Sequence, residues 1–314
     1  MIARAKAYGA IVLLGCQAAS PPVPAAAGAD AAAVGIDVAD AALAAAPDTP
    51  SGSTADAAPL DAVDGAGDVS PAWASHLVAS QGVSLFYSQG IARLTDGWAF
   101  SAKAGLWRTD LGFTQLVEVT QPLPQSLLDA GYGHIGDIDL ADQKLFAALE
   151  QGDDNRNKQA VAWFDPQTLA FIAHADLPQH ENPCLCVDEA TRIAYTPDRY
   201  HGNDIRRYDV KNAWAPLGPL LLSQKLDAMQ GIDAAEGALW FSCEDAEHGI
   251  YRAAIATGEV TRVGSIGRLE LTGTTRPEVE GIDATLLPSG LLHILTNEPL
   301  QATSWVDDFA VDGP

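Results

Sequence analysis

The chain predicts an all-β fold, a β-propeller of five four-stranded blades, on three observations. One phrase recurs five times, at Gln89-Gly90-Ile91, Gly136-Asp137-Ile138, Pro183-Cys184-Leu185, Gln230-Gly231-Ile232 and Glu280-Gly281-Ile282. Counted from the first residue of each triplet, the spacings are 47, 47, 47 and 50 residues. A fixed period in this range marks one supersecondary unit per repeat. Each phrase also leads into an apolar, strand-like run, such as Trp98-Ala99-Phe100-Ser101, Leu145-Phe146-Ala147-Ala148 or Leu239-Trp240-Phe241-Ser242. Finally, a repeat of about 47 residues has room for four short strands and their turns, which is one blade. A two-sheet sandwich would account for the strands but not for the period.

The elements follow in chain order. Arg4 and Lys6 precede a short apolar run, Ala7 to Leu14, that ends in Leu13-Leu14-Gly15-Cys16. A basic start, an apolar middle and a small residue before the cut describe a secretory signal. This ending resembles the bacterial lipobox, which implies that residues 1–16 end in a lipidated Cys16. The run is too short to span a bilayer as a helix, so lipid alone would contact the membrane. Residues 17–71 contain eight Asp and no Lys, Arg, Glu or aromatic residue, among Ala, Pro, Gly, Ser and Thr. Such a stretch has too little large apolar surface to offset its ordering entropy and reads as a disordered, extended tether. The propeller is expected over 72–314. Its last repeat holds only three strands, at about 281–287, 291–296 and 304–310. The strand-like Val83-Ser84-Leu85-Phe86, left over before the first repeat, is expected to complete it as the outer strand and close the ring.

Charge limits the partners. The formal net charge is −23; without the eight tether Asp and the pair Arg4 and Lys6, 33 acids face 16 bases, or −17. That field repels nucleic acid and bare anionic lipid and leaves cations, neutral sugars, peptides and basic protein surfaces as ligands. Beyond Cys16 three cysteines remain, so at least one thiol stays free in an exported domain. Cys184 and Cys186 stand two apart on one strand, a poor geometry for bridging each other. A bridge between Cys186 and Cys243 on neighbouring blades, or three buried small hydrophobes, both fit the pattern.

Polar residues converge where blades meet. In a propeller the inner strand begins, and the second strand ends, on the same face. The starts supply Gln89, His134 with Asp137, Asn182, Gln230 and Glu280; the ends supply Lys103, Glu150, Asp198, Glu244 and Asn297. These residues are the candidate ligand site at the channel mouth. Two positions further into the inner strands stand Asp139, Asp233 and Asp283. With Glu280 they make a candidate oxygen set for a divalent cation such as Ca2+; bonding to backbone amides of the neighbouring blade is the other role these aspartates can fill.

The hairpins Gly249-Ile250-Tyr251-Arg252 through Thr257-Gly258-Glu259-Val260, and Phe164-Asp165-Pro166-Gln167-Thr168-Leu169, resemble the outer strands of gluconolactonase-like, NHL-like and quinoprotein-like propellers. The lactonase resemblance implies a calcium ion held by Glu, Asn and Asp where inner strands begin, polarising an ester carbonyl. Glu280 and Asn182 stand at comparable places, whereas Gln89, Gly136, Pro183 and Gln230 occupy the others. Locally, Tyr87-Ser88-Gln89-Gly90-Ile91 is similar to the opening of the five-bladed glutamine cyclotransferases, which implies an N-terminal glutamine as ligand. No phosphate-binding Gly-Lys-Ser/Thr loop and no Gly-x-Ser-x-Gly elbow occurs. The expected function is a binding module, monomeric and displayed outside the cytoplasm on a bacterial envelope, that takes a small molecule, sugar or protein at its mouth. The alternative is an enzyme using the same mouth, a metal-assisted hydrolase or a cyclotransferase.

Overall fold

The computed structural model describes residues 73–151, 158–266, 278–298 and 303–313; the expected signal segment, Cys16 and the expected tether lie outside these residues. Strand β1 spans Ala74–Ser84. The first blade is β2 (Gly90–Leu94), β3 (Gly97–Ala102), β4 (Gly105–Asp110) and β5 (Gln115–Val119), paired in that order. A short helix, α1 (Gln125–Asp129), leads into the second blade: β6 (Tyr132–Ala141), β7 (Lys144–Gln151), β8 (Gln159–Phe164) and β9 (Phe171–Leu177). The third holds β10 (Cys186–Asp188), β11 (Ile193–Pro197) and β12 (Gly202–Asp209). Its outer edge is divided between β13 (Ala215–Pro216) and β14 (Leu220–Leu226), both paired with β12. The fourth is β15 (Met229–Ala235), β16 (Ala238–Cys243), β17 (Gly249–Ala254) and β18 (Val260–Ser265). The fifth is β19 (Glu278–Asp283), β20 (Leu291–Glu298) and β21 (Thr303–Asp312), with β1 outermost. These five antiparallel sheets are the five blades of a propeller, as the period predicts.

Ring closure differs in extent from the expectation. The closing strand runs from Ala74 to Ser84, in register from Ala74↔Asp312 to Ser84↔Thr303, so Leu85 and Phe86 fall beyond its end. Val83–Phe86 is the strand-like piece before the first repeat, but an outermost strand has one face in water and need not be apolar. Most of β1 is exposed, and the strand is recruited by backbone pairing to β21. Trp73 then fixes its start: it meets Trp240 edge-on at a centroid distance of 5.5 Å, and the Arg252 guanidinium lies 4.5 Å over its ring.

Local chemistry sets the hairpins and the axis. The loops joining β6 to β7 and β15 to β16 place both central residues at positive φ, Asp142 (51°) with Gln143 (57°) and Glu236 (51°) with Gly237 (73°). This is the type I′ signature, whose twist matches that of paired strands. At the axis, a Cβ on Gly231 would stand 2.7 Å from the Ile282 amide nitrogen, and one on Gly90 2.7 Å from that of Ile138. The central glycine of the first, fourth and fifth triplets is therefore a packing requirement, since inner strands of different blades approach there to backbone contact. Between blades the fully buried Ile91, Ile135, Leu145, Leu239, Trp240 and Leu292 fill the seams. All three described cysteines are free thiols, buried in the wall around the third and fourth blades; Cys186 and Cys243 are not bridged. They act as small hydrophobes there, and burial pushes each thiol well above its usual pKa.

Candidate functional site

The polar residues at the mouth form one hydrogen-bonded chain across four blades. Gln89 Nε2 donates to Glu280 Oε1 at 3.4 Å, and Gln89 Oε1 receives His134 Nε2 at 2.6 Å. An amide oxygen can only accept, which places a proton on that ring nitrogen. The other ring nitrogen, Nδ1, lies 3.3 Å from Glu150 Oε2, while Glu150 Oε1 accepts the Asn182 amide at 2.9 Å. The fourth blade adds a separate pair, Gln230 Nε2 donating to Glu244 Oε2 at 3.1 Å. Gln89, His134, Glu150, Gln230 and Glu244 are all partly exposed, whereas Glu280 is only 3% exposed. The recurrence works here because each side chain leaves an inner strand at its start or a second strand at its end. His134 and Glu150, for example, are direct partners in the β6–β7 register.

Electrostatics single out Glu280. Burial pushes its carboxyl well above the usual range, and the nearby carboxylates Glu278, Glu244 and Asp137 push it further. A carboxyl raised in this way and held against an amide chain gives up a proton less readily than a free one, and it can accept a hydrogen bond from a ligand donor. Tyr200, which sequence reasoning missed, belongs to the same region. Its phenol is pushed up by burial first and then by Glu244, Glu280 and Glu150, carboxylates from three different blades. Its backbone amide is held by Glu181 Oε2 at 2.5 Å. Tyr200 falls three residues beyond the end of β11, outside the recurring mouth positions of the repeat.

Two expected mouth residues turn inward. The Asn182 side chain is fully buried in the seam, donating to the Ala160 carbonyl at 2.6 Å and accepting from Thr196 Oγ1 at 2.7 Å, so only its backbone serves the mouth chain. Asp198 is buried and paired with Arg206 Nε at 3.0 Å and His180 Nδ1 at 2.8 Å. Burial raises its carboxyl, but the bonds to Arg206 and His180 outweigh that and hold it below the usual range. Asn297 is 8% exposed, and its Oδ1 has no hydrogen-bond partner among the described residues.

Deeper in the channel the aspartates stitch blades together. Asp139 Oδ2 accepts the Val187 amide of the third blade at 2.7 Å. Asp233 Oδ2 accepts that of Ala284 in the fifth at 2.5 Å, and Asp283 Oδ2 accepts that of Arg93 in the first at 2.6 Å. Each carboxylate reaches the blade that follows its own. Asp137 also lies at the axis and accepts the Ile138 and Ile232 amides at 2.9 and 3.1 Å. Burial pushes the carboxyls of Asp137, Asp139, Asp233 and Asp283 upward, Asp139 to about 7, and mutual repulsion adds to this for Asp139 and Asp233. Among the described residues no three His, Cys, Asp or Glu side chains are grouped to hold a metal ion. The four carboxylates considered as a calcium set, Glu280, Asp283, Asp233 and Asp139, are thus spread among separate hydrogen-bonding tasks.

No known protein family matches the sequence, and no curated protein is similar to it in sequence. Solved structures do resemble it. A glutaminyl cyclase from Myxococcus xanthus superposes with a TM-score of 0.58 at 12% identity, over 77% of this chain and 98% of that one. A luciferin-regenerating enzyme gives 0.46 at 9% identity over 72% of this chain and 79% of that one. A PQQ-bound aldose sugar dehydrogenase from Streptomyces coelicolor gives 0.44 at 11%, over 78% and 100%. At such identities the likeness concerns the fold, and the neighbours are propeller enzymes of different chemistries.

Proposed function

We propose that this protein is a ligand-binding propeller displayed on a bacterial envelope by lipidated Cys16 and the acidic 17–71 tether. In this reading its mouth takes a small neutral or cationic ligand rich in hydrogen-bond donors. The observation that carries it is the convergence of Gln89, His134, Glu150, Gln230, Glu244 and Glu280, from four blades, around a buried carboxyl. Carboxylates and amide oxygens dominate this set, and the −17 charge of residues 72–314 favours cations over anions at the opening. The test is a thermal shift of the full chain against sugars, lactones, amines, short peptides and Ca2+, since binding to the folded state alone raises the melting temperature. A ligand that stabilises the wild type but not Glu280→Gln with Glu150→Gln supports the mouth. A ligand that stabilises both equally places binding elsewhere.

A second reading is favoured by the superposition on the glutaminyl cyclase and by Gln89 in Tyr87-Ser88-Gln89-Gly90-Ile91. In it the mouth cyclises an N-terminal glutamine: the α-amine attacks the side-chain amide carbon, the C–N bond to the leaving amine breaks, and ammonia departs. Glu280, whose carboxyl burial pushes well above the usual range, would pass a proton from the attacking α-amine to the departing nitrogen. Mass spectrometry of a Gln-initiated peptide incubated with the protein decides the point. Loss of one ammonia, abolished by Glu280→Gln, supports this reading; an unchanged peptide leaves the binding module.

A further inference from the structure

A cavity of about 520 Å3 lies away from the inner-strand chain, against α1 and the outer half of the second blade. Its apolar wall includes Leu127, and its polar lining includes Tyr132, Lys158, His174 and Asp176. Tyr132 is 4% exposed, and its hydroxyl donates to Asp176 Oδ1 at 2.8 Å, fixing one oxygen of a carboxylate that otherwise faces solvent. His174 Nε2 stands 3.9 Å from the same oxygen. The β8–β9 register pairs Ala160 with Asp176 and Ala162 with His174, so the histidine and the carboxylate share one face of the blade. Lys158 lies two residues before Ala160 and lines the same cavity, which puts its backbone about 7 Å along the strand from that of the Asp176 pair.

An oriented carboxylate and a lysine lining the same cavity, over an apolar wall, match a small molecule that carries both an ammonium and a carboxylate. We propose that this cavity binds a zwitterionic ligand of amino-acid type, an apolar α-amino acid or dipeptide, its ammonium on Asp176 and its carboxylate on Lys158. Tyr132 is a positioning residue that holds the carboxylate. The volume falls in the range of pockets that enclose small molecules, with space for a large side chain or a second residue. The mouth plays no part, so the proposal stands or falls independently of the function assigned to it.

Calorimetric titration of the full chain tests it, with L-leucine and L-leucyl-leucine as probes. Isoamylamine and 4-methylpentanoate keep the alkyl body but carry one charge each. Saturable binding of at least one zwitterionic probe is expected, with both single-charge analogues at least tenfold weaker. Asp176→Asn and Lys158→Gln, both at exposed side chains, should each lose tenfold or more, and Tyr132→Phe should lose less. No saturable binding of either zwitterionic probe overturns the proposal. So does an analogue that binds as well, or an affinity unchanged by both charge variants.

Discussion

Replacing Asp139 with Asn isolates the effect of carboxylates packed around the propeller axis. Burial first, and then the Asp283 carboxylate, hold the Asp139 carboxyl at about 7, against an ordinary value of 3.8. Below about pH 4 folded and unfolded chains both carry this proton, and the group's contribution is fully present. As pH rises the unfolded chain loses the proton first, so stability falls until the folded group titrates near 7. Each pH unit in that window removes about 1.4 kcal/mol. From pH 5 to pH 7 the wild type therefore loses about 3 kcal/mol through this one group, and little more up to pH 8. Asn does not titrate, and its side-chain oxygen can still accept the Val187 amide that Asp139 holds at 2.7 Å. Urea denaturation of wild type and variant at pH 5 and pH 8 reads the effect as the difference of two differences, which cancels the titrating groups that do not interact with Asp139. The Asp139→Asn advantage should grow by about 3 kcal/mol between the two values. For a domain of this size that is a relative melting shift of roughly 6–12 °C. An equal loss of stability at both pH values would refute the reasoning, because it would show that the amide bond requires the charge.

Three further outcomes follow from the packing. Gly231→Ala should cost several kcal/mol and lower the midpoint of denaturation, since its Cβ would stand 2.7 Å from the Ile282 nitrogen and 2.9 Å from the Gly281 carbonyl carbon; a midpoint near wild type would mean that the inner strands can move apart. Removing residues 73–84 should unfold or aggregate the domain, whereas removing 17–71 should leave the melting temperature within about a degree or two, because only the first deletion strips β21 of its partner. Glu280→Gln with Glu150→Gln should leave the melting temperature unchanged or slightly raised, since Gln matches Glu in shape and burial already opposes the charged form of Glu280; clear destabilisation would make both carboxylates structural.

Blade number, and the positions at which side chains reach the mouth, were legible in the sequence because both depend on period. A 47-residue repeat with a small residue at its centre reports one blade and one backbone approach to the axis, wherever the blade sits in the ring. That regularity located Gln89, His134, Glu150, Gln230, Glu244 and Glu280 together. It also allowed two roles for Asp139, Asp233 and Asp283, and only the assembled ring shows each carboxylate accepting the amide of the following blade.

Position in a repeat does not say which way a polar side chain turns. Asn182 and Asp198 occupy mouth positions, yet Thr196 and the Ala160 carbonyl draw the first into the seam, and Arg206 and His180 hold the second. Those partners lie 14 to 22 residues away for Asn182 and 8 to 18 for Asp198, at spacings unrelated to the 47-residue period. Tyr200 escaped for the converse reason, since it feels three blades' carboxylates from a loop position beyond the end of the second strand. The closing strand shows the same division. The need for one more strand follows from counting, but its extent was decided by backbone hydrogen bonds to β21, and an exposed polar strand carries no hydrophobic pattern to announce them.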